Sequence, residues 1–411
     1  MKERKSIQLS SQELEKEQPY AYHLMCAPIG DAAKNRLICR LGKPSEVFRV
    51  SEKVIQEILG NDKLSYFLVN RDDAVIHRNY EALMKSGISF YPEYHPAFPP
   101  KLLYIPSRPF GIFVKGSLPP NKGISLAVVG ARDCSEYGRY VAECFGKKLA
   151  DWGIAIISGM ARGIDGIAQK AAIEAGGKSF GVLGCGVDVC YPKSNEGLYR
   201  MCMENGGILS TYLPSTPPAP GHFPPRNRII SGLSDAILII EARNKSGTII
   251  TADMALEQGR EVFVIPGRIT DRLSDGCNSL IRQGASLIQS PGQLLEELKC
   301  CVQNRYNEIR LNGFESKSTV SGYKDSAYSL EETISDSAPG MEEYGKLSLQ
   351  EQVFLKLFDF DLQSIEEIRR KMAQDAFLKD ISLPQTMEML MKFVILGLLK
   401  AEGGYYGKSG G

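Results

Sequence analysis

From residue 124 onward the chain alternates short, nearly uninterrupted apolar runs with glycine-marked turns and stretches of helical period. The runs predict strands over Ser125–Val129, Ala155–Ile157, Phe180–Leu183, Ile208–Ser210, Ala236–Ile240, Val262–Ile265 and Ser286–Ile288. Continuous apolar runs of this length are those of parallel strands covered on both faces. Between the first two, Val141, Phe145, Leu149 and Trp152 recur at three and four residues, one buried stripe of a helix. Residues 88–302 are therefore expected to form an open, doubly wound, mostly parallel α/β sheet. Upstream, residues 1–20 read as an N-terminal tail and 21–87 as a small helical domain. Its helices are Ala21–Cys26, a segment near Ala32–Leu41, Ser51–Leu59 and Asp73–Ser86, closed by a turn at Gly87. The prolines of SFYPEYHPAFPPKLLYIPSRPFGIFVKG forbid helix and predict short extended pieces leading into the sheet.

Residues 303–343, rich in Ser, Glu, Asn and Gly and without sustained period, read as a flexible linker. Beyond it, Leu347–Phe358, Ser364–Met372 and Leu383–Gly397 predict three helices, and LLKAEGGYYGK a glycine-turned hairpin. Three helices and a hairpin over 344–411 make a small winged-helix domain.

Composition narrows the chemistry. At 411 residues, 43% hydrophobic and 24% charged, the chain can bury a large core in two or three domains. The start, MKERKSIQLSSQELEKEQ, has no apolar run of signal-peptide length, and no later stretch approaches membrane-spanning length, so a cytoplasmic protein is expected. Ten cysteines include no CxxC pair, and with four histidines no metal-ligand spacing appears, so neither a metal nor a cofactor is expected. Cys185, Cys190 and Cys202 sit in apolar or glycine-rich runs and read as small buried thiols. The net charge of +1, from 49 basic and 48 acidic residues, means that any polyanion site must be a local gathering of charge.

In an open parallel sheet ligands bind beyond the carboxyl ends of the strands, where loops meet helix N-termini. Five successive loops there carry bases. In VVGARDCSEYG, Gly130 turns the chain, Arg132 projects and Ser135 is placed to cap the next helix. SGMARGID supplies Gly159, Arg162, Gly163 and Asp165, and GCGVDVCYPKSN supplies Lys193. APGHFPPRNRIISG brings Phe223, Arg226, Asn227 and Arg228, and NKSGTIITA places Lys245, Ser246, Gly247 and Thr248 at a helix start. Singly, an arginine beside a glycine is an ordinary solvated turn residue. Together, guanidinium and ammonium groups with exposed N–H donors and one aromatic suit a multi-phosphate strand with a stacked base.

A nucleotide enzyme is the competing class. GCGVDV lacks the third glycine of the dinucleotide fingerprint, and no GxxxxGK[ST] loop occurs. Asp165 and Asp188 are the candidate acids, and each fits better as a carboxylate capping N–H groups or pairing with arginine. A scaffold whose basic loops face acidic proteins is a third reading.

The loops VGARDCSEYG, SGMARGIDGIAQKAAIEAGG, GVLGCGVDVCYPKSN, FPPRNRIISGLSDAILIIEA, KSGTIITADMALEQGREVFVIPG and DGCNSLIRQGA, in that order, resemble the DNA processing protein A (DprA/Smf) family over about residues 88–300. The resemblance implies an extended Rossmann-like fold, flanked by a sterile-alpha-motif-like helical domain and a winged helix. It implies single-stranded DNA binding and protection without catalysis, and loading of the RecA recombinase, as in natural transformation. Arg132 and Lys193 would hold phosphates, Phe223 would stack on a base, and Arg226, Asn227 and Arg228 would shape the pocket wall. It also implies a homodimer through the Gly276–Leu287 region, with Asn278, Ile281 and Leu287 as interface residues.

Departures are Gln169 for a usual histidine, Thr211 for a common glutamate and Pro220 where a basic residue can stand, from which somewhat weaker DNA contact is expected there. The sheet also resembles nucleotide-binding phosphoribohydrolases with a GGxGTxxE loop, but here Thr251 occupies the glutamate position. In the third helix of the winged helix, Lys392 is the one base and Glu388 lies near it, while Met387, Leu390, Met391 and Val394 form an apolar stripe. That pattern fits internal packing, with a protein contact or a mere appendage favoured over duplex reading.

Overall fold

The computed structural model describes residues 9–60, 71–312 and, further on, 349–355, 357–358, 363–373, 375, 378–379, 381–395, 399–402 and 405–408. The chain forms two compact units, residues 1–333 and 334–411.

The first unit opens with helices α1 (Ser11–Cys26), α2 (Asp31–Leu41), α3 (Pro44–Arg49), α4 (Glu52–Leu59) and α5 (Asp73–Lys85). The expected tail over residues 1–20 is corrected by α1, because a local signal starts that helix early. Ser10 Oγ accepts from Glu13 N–H at 3.3 Å while Glu13 accepts from Ser10 N–H at 3.0 Å, a reciprocal cap. Glu17, Gln18, Pro19 and Tyr20 are consequently buried. Helix α3, unforeseen, is too short to display a period and starts on a proline, whose missing N–H costs nothing at a first turn.

The sheet follows: β1 (Ser89–Pro92), β2 (Gly111–Gly116), β3 (Ser125–Gly130), α6 (Glu136–Asp151), β4 (Ala155–Ser158), α7 (Ile164–Glu174), β5 (Ser179–Val182), α8 (Glu196–Glu204), β6 (Gly206–Ser210), α9 (Phe223–Leu233), β7 (Ala236–Ile240), α10 (Gly247–Glu257), β8 (Glu261–Val264), α11 (Asp275–Arg282), β9 (Ser286–Leu287) and α12 (Pro291–Asn312). The order across it is β1-β2-β6-β5-β4-β3-β7-β8-β9. β1 pairs with β2 and β2 with β6 antiparallel, so the proline-rich lead-in becomes two edge strands, and the other pairs are parallel. Strand β3 is the turning point: successive strands after it step away to one side, and β7 returns to its other side.

Successive side chains of β3 point to opposite faces. Leu126 and Val128 join Val141, Phe145 and Leu149 of α6, Ala168 of α7 and Leu294 and Leu298 of α12, with Trp152 partly buried beside them. Ala127 and Val129 join Ile229, Ile230 and Leu233 of α9, Ala252 of α10 and Leu280 of α11. Each fully buried leucine, isoleucine or phenylalanine contributes about 1.5–3 kcal/mol relative to exposure. A further cluster sets Leu24, Leu37 and Phe48 of the N-terminal helices against Phe113 and against Leu198, Tyr199 and Cys202 of α8. Helix α12 runs to Asn312, so the first part of the expected 303–343 linker is helical: the segment holds no glycine or proline before Gly313 to stop it. The rest of that linker lies outside the described residues.

The second unit contains α13 (Leu349–Leu355), β10 (Gln363–Ser364), α14 (Ile365–Met372), α15 (Leu383–Ile395), β11 (Leu399–Glu402) and β12 (Tyr405–Lys408). Its strands pair antiparallel in the order β10-β12-β11. Phe354, Phe358, Ile368, Met372, Leu390 and Phe393 form its core. Within α15, Leu390 is fully buried and Met387 and Val394 are partly buried, whereas Leu383 and Met391 are exposed. Among the described residues no helix is long and apolar enough to cross a membrane.

Candidate nucleic-acid interface

Beside the reversal at β3 the loops leaving β3 and β7 diverge, and a cavity of about 420 Å³ opens between them. Gly130, Arg132, Asp165, Phe223, Arg226, Asn227, Arg243, Ser246, Gly247 and Thr248 all line it. A smaller depression of about 100 Å³ adjoins it, lined by Gly159, Arg162, Tyr191, Pro192 and again by Arg132, Phe223 and Arg226. With Ala161, which also lines both, these three side chains form the wall between the two.

Phe223 begins α9 and its ring is the centre of the arrangement. The guanidinium carbons of Arg132 and Arg226 stand 5.7 and 5.6 Å from its centroid, at cation–π distance. The two arginines differ in everything else. Arg226 is 6% exposed and donates to Gly159 O at 2.7 Å and Val182 O at 2.6 Å through Nη1, and to Asn227 Oδ1 at 3.0 Å through Nε. Burial lowers its pKa to about 10, opposed by the nearby Asp165 carboxylate. Arg132 is exposed, and among the described residues it has no ion-pair partner.

Asp165 lies beneath this wall. Its oxygens accept from Gly130 N–H at 3.3 Å and Gly159 N–H at 3.2 Å, joining the loops of two neighbouring strands. Burial raises its pKa, while Arg226 and the two N–H groups pull the other way. Asp188 likewise accepts from Ser215 N–H at 2.7 Å. Both acids therefore accept from backbone N–H groups, one of the two arrangements expected of them. Gly159 has no room for a side chain: a Cβ there would stand 2.8 Å from Arg226 Nη1. Gly163, the cap of α7, holds φ at +74°, and a Cβ there would run into the Ala131 and Arg132 carbonyl oxygens, so glycine alone fits.

The remaining expected residues divide into groups. Arg162 is exposed and faces Asp133 at 3.7 Å, a weak surface pair. Ser246 Oγ is buried with no hydrogen-bond partner among the described residues, at the N-terminus of α10, where free N–H groups and the helix dipole favour an anion. Thr248 Oγ1 donates to Gly130 O at 3.3 Å. Lys193 and Lys245 are exposed but belong to the lining of neither depression. Ser135 acts locally, accepting from Gly138 N–H at 3.1 Å, while its hydroxyl and N–H both donate to Glu241.

Arg228 departs from its expected place in the pocket wall. It lines neither depression and faces Asp31 of α2 at 3.9 Å. Residues two apart on a helix point about 200° apart, so α9 cannot turn both Arg226 and Arg228 to the cleft. Asn278 bonds Gly267 through its amide, donating at 3.1 Å and accepting at 3.3 Å, and Ile281 and Leu287 are half-buried. Gln169, the departure from histidine, is buried and donates to Ser179 Oγ at 3.0 Å and Phe180 O at 3.2 Å. Thr251 donates to Gly247 O at 3.0 Å inside α10.

Three residues of the site are not singled out by sequence reasoning. Arg243 lines the larger cavity from the loop after β7. Tyr191 lines the smaller depression, its ring 5.8 Å from that of Phe223 and tilted by 34°. Glu241, 2% exposed and at φ +55°, sets a carboxylate against the start of α6, where negative charge is favourable.

A doubly wound sheet with guanidinium groups, helix N-termini and aromatic rings along its carboxyl edge defines an α/β protein with a cationic rim. The model of the family described as DNA recombination-mediator protein A matches residues 89–299. The chain belongs to that family, whose members carry the names DprA and Smf. Protein Smf of Escherichia coli is 45% identical over 203 residues, 49% of this chain and 54% of that protein, so only about half of that relative's length is spanned. DNA processing protein DprA of Streptococcus pneumoniae is 39% identical over 261 residues, 62% of this chain and 92% of that one. The X-ray structure of DNA processing protein A from Streptococcus pneumoniae superposes with a TM-score of 0.59 at 33% identity, covering 68% of this chain and 97% of that one.

Proposed function

We propose that this chain binds single-stranded DNA along the carboxyl edge of its sheet without reading base sequence, and that it does so by binding alone, without catalysis. The observation that carries this reading is the meeting of Arg132, Phe223 and Arg226 at the wall shared by two depressions. A half-buried ring next to exposed cations offers stacking for a base and charge for the flanking phosphates. Duplex recognition needs an element that enters a groove, and a pair of narrow depressions is not one. The family's description as a recombination mediator supports the wider role: protection of the strand and loading of the RecA recombinase, as in DNA uptake and natural transformation. We assign homodimerisation to the Gly276–Leu287 region around Asn278, Ile281 and Leu287, and a cytoplasmic place of action.

We read the C-terminal unit as a winged helix and assign it no groove-reading part, since Lys392 of α15 is paired with Glu351.

Fluorescence anisotropy with labelled oligothymidine over a salt series tests the reading. Tight binding whose log affinity falls with log salt by about 0.7 per phosphate contact is expected, with much weaker binding to duplex. Arg132→Glu combined with Lys193→Glu should remove most of it; unchanged affinity would refute the site. Affinity for mononucleotides instead of strands would favour a nucleotide-binding protein akin to the phosphoribohydrolases.

A further inference from the structure

Phe223 is not the open ring of the cleft. It is half-buried, and two guanidinium groups stand over it at 5.7 and 5.6 Å. Tyr191 is 44% exposed, and among the described residues its hydroxyl has no hydrogen-bond partner. An aromatic ring left in water at the mouth of a depression is not explained by packing. The loop that carries it is held in place just beyond the ring, where Asn195 Nδ2 donates to Met160 O at 2.9 Å and Ala161 O at 3.1 Å. The ring therefore sits on an anchored segment beside the loop that bears Arg162.

A base cannot slide between Tyr191 and Phe223. Two rings that sandwich a third stand roughly 7 Å apart, twice the contact distance of carbon atoms, and these are 5.8 Å apart and tilted by 34°. A base can lie only on the outer face of Tyr191, with Phe223 backing the tyrosine from within.

We propose that Tyr191 is a stacking platform for a nucleobase of the bound strand, adjacent to the position at Phe223, with Arg162 in reach of the phosphate between them. The proposal rests on the single-strand reading above. Because every base has a π-face, the platform takes purines and pyrimidines alike, and it needs the base, whereas Arg162 needs only the backbone.

The test compares wild type, Tyr191→Ala and Tyr191→Phe by anisotropy on two strands of equal length and charge, oligothymidine and an abasic oligonucleotide. Tyr191→Ala should bind oligothymidine about tenfold more weakly, the loss of one stacked base, and should match wild type on the abasic strand. Tyr191→Phe should keep wild-type affinity on both. The abasic strand also reports that the alanine variant is folded. Wild-type affinity of Tyr191→Ala for oligothymidine would overturn the platform and leave the single-strand reading standing, and an equal loss on both strands would overturn it too, as damage to the backbone contacts. Failure of wild type to bind either strand would overturn the reading beneath it.

Discussion

Arg226 and Arg132 both stand over the ring of Phe223, one in the floor of the cleft and the other on its rim. The floor is a closed set: Arg226 answers the carbonyls of Gly159 and Val182, and Asp165 answers the N–H groups of Gly130 and Gly159. Each member there fixes the position of another. On the rim, Arg132, Arg243, Lys193 and Lys245 have no ion-pair partner among the described residues. Charge that holds the protein together and charge that can hold a ligand are thus separated by a single ring. Sequence records both as arginine.

Substitutions should separate the two layers. The largest effect is expected for Arg226→Ala, which strips the Gly159 and Val182 carbonyls of a buried donor and should cost roughly 3 kcal/mol or more in urea unfolding. Should the variant unfold like wild type and lose only DNA affinity, Arg226 would act on the strand directly and not by fixing its neighbours. Arg132→Glu should leave the unfolding midpoint unchanged and weaken oligothymidine binding roughly a hundredfold, through the lost and reversed phosphate contact. Gly159→Ala presses a methyl group against the Arg226 guanidinium and should cost about 2 kcal/mol by overpacking, read in the same unfolding experiment. Lys245→Ala, on the outer rim, should lower affinity about threefold and reduce the salt slope by about 0.7 if it meets one phosphate. Smallest is Arg228→Ala. Turned toward Asp31, it should change oligothymidine affinity less than about twofold.

The sheet is legible because buried parallel strands must be apolar throughout, and the predicted strand ends then locate the loops. Gly130, Arg132, Gly159, Phe223 and Ser246 can be brought to one edge on that ground alone. What stays hidden depends on rotation about a helix or a single backbone angle. Arg226 and Arg228 look equivalent in FPPRNR, and only the turn of α9 sends one inward and the other toward α2. Glu241 looks like the end of a strand, and only its φ of +55° swings the carboxylate under Ser135. Tyr191 and Arg243 are overshadowed by the lysines beside them, because charge is easier to read from a string than exposure is. Helix α1 does carry its own signal, Ser10 followed by Glu13, within a stretch that otherwise reads as tail.

Leu24, Leu37 and Phe48 share one apolar cluster with Phe113, Tyr199 and Cys202. The composition of the chain changes near residue 88, but the oil beneath does not. A polypeptide begun at Ser89 would bare the flank of α8 that these side chains shelter, and should precipitate where the longer chain stays dispersed. Genetic or proteolytic trimming of the amino-terminal helices is therefore an operation on the sheet itself, and activity lost after it would say nothing about whether those helices touch DNA.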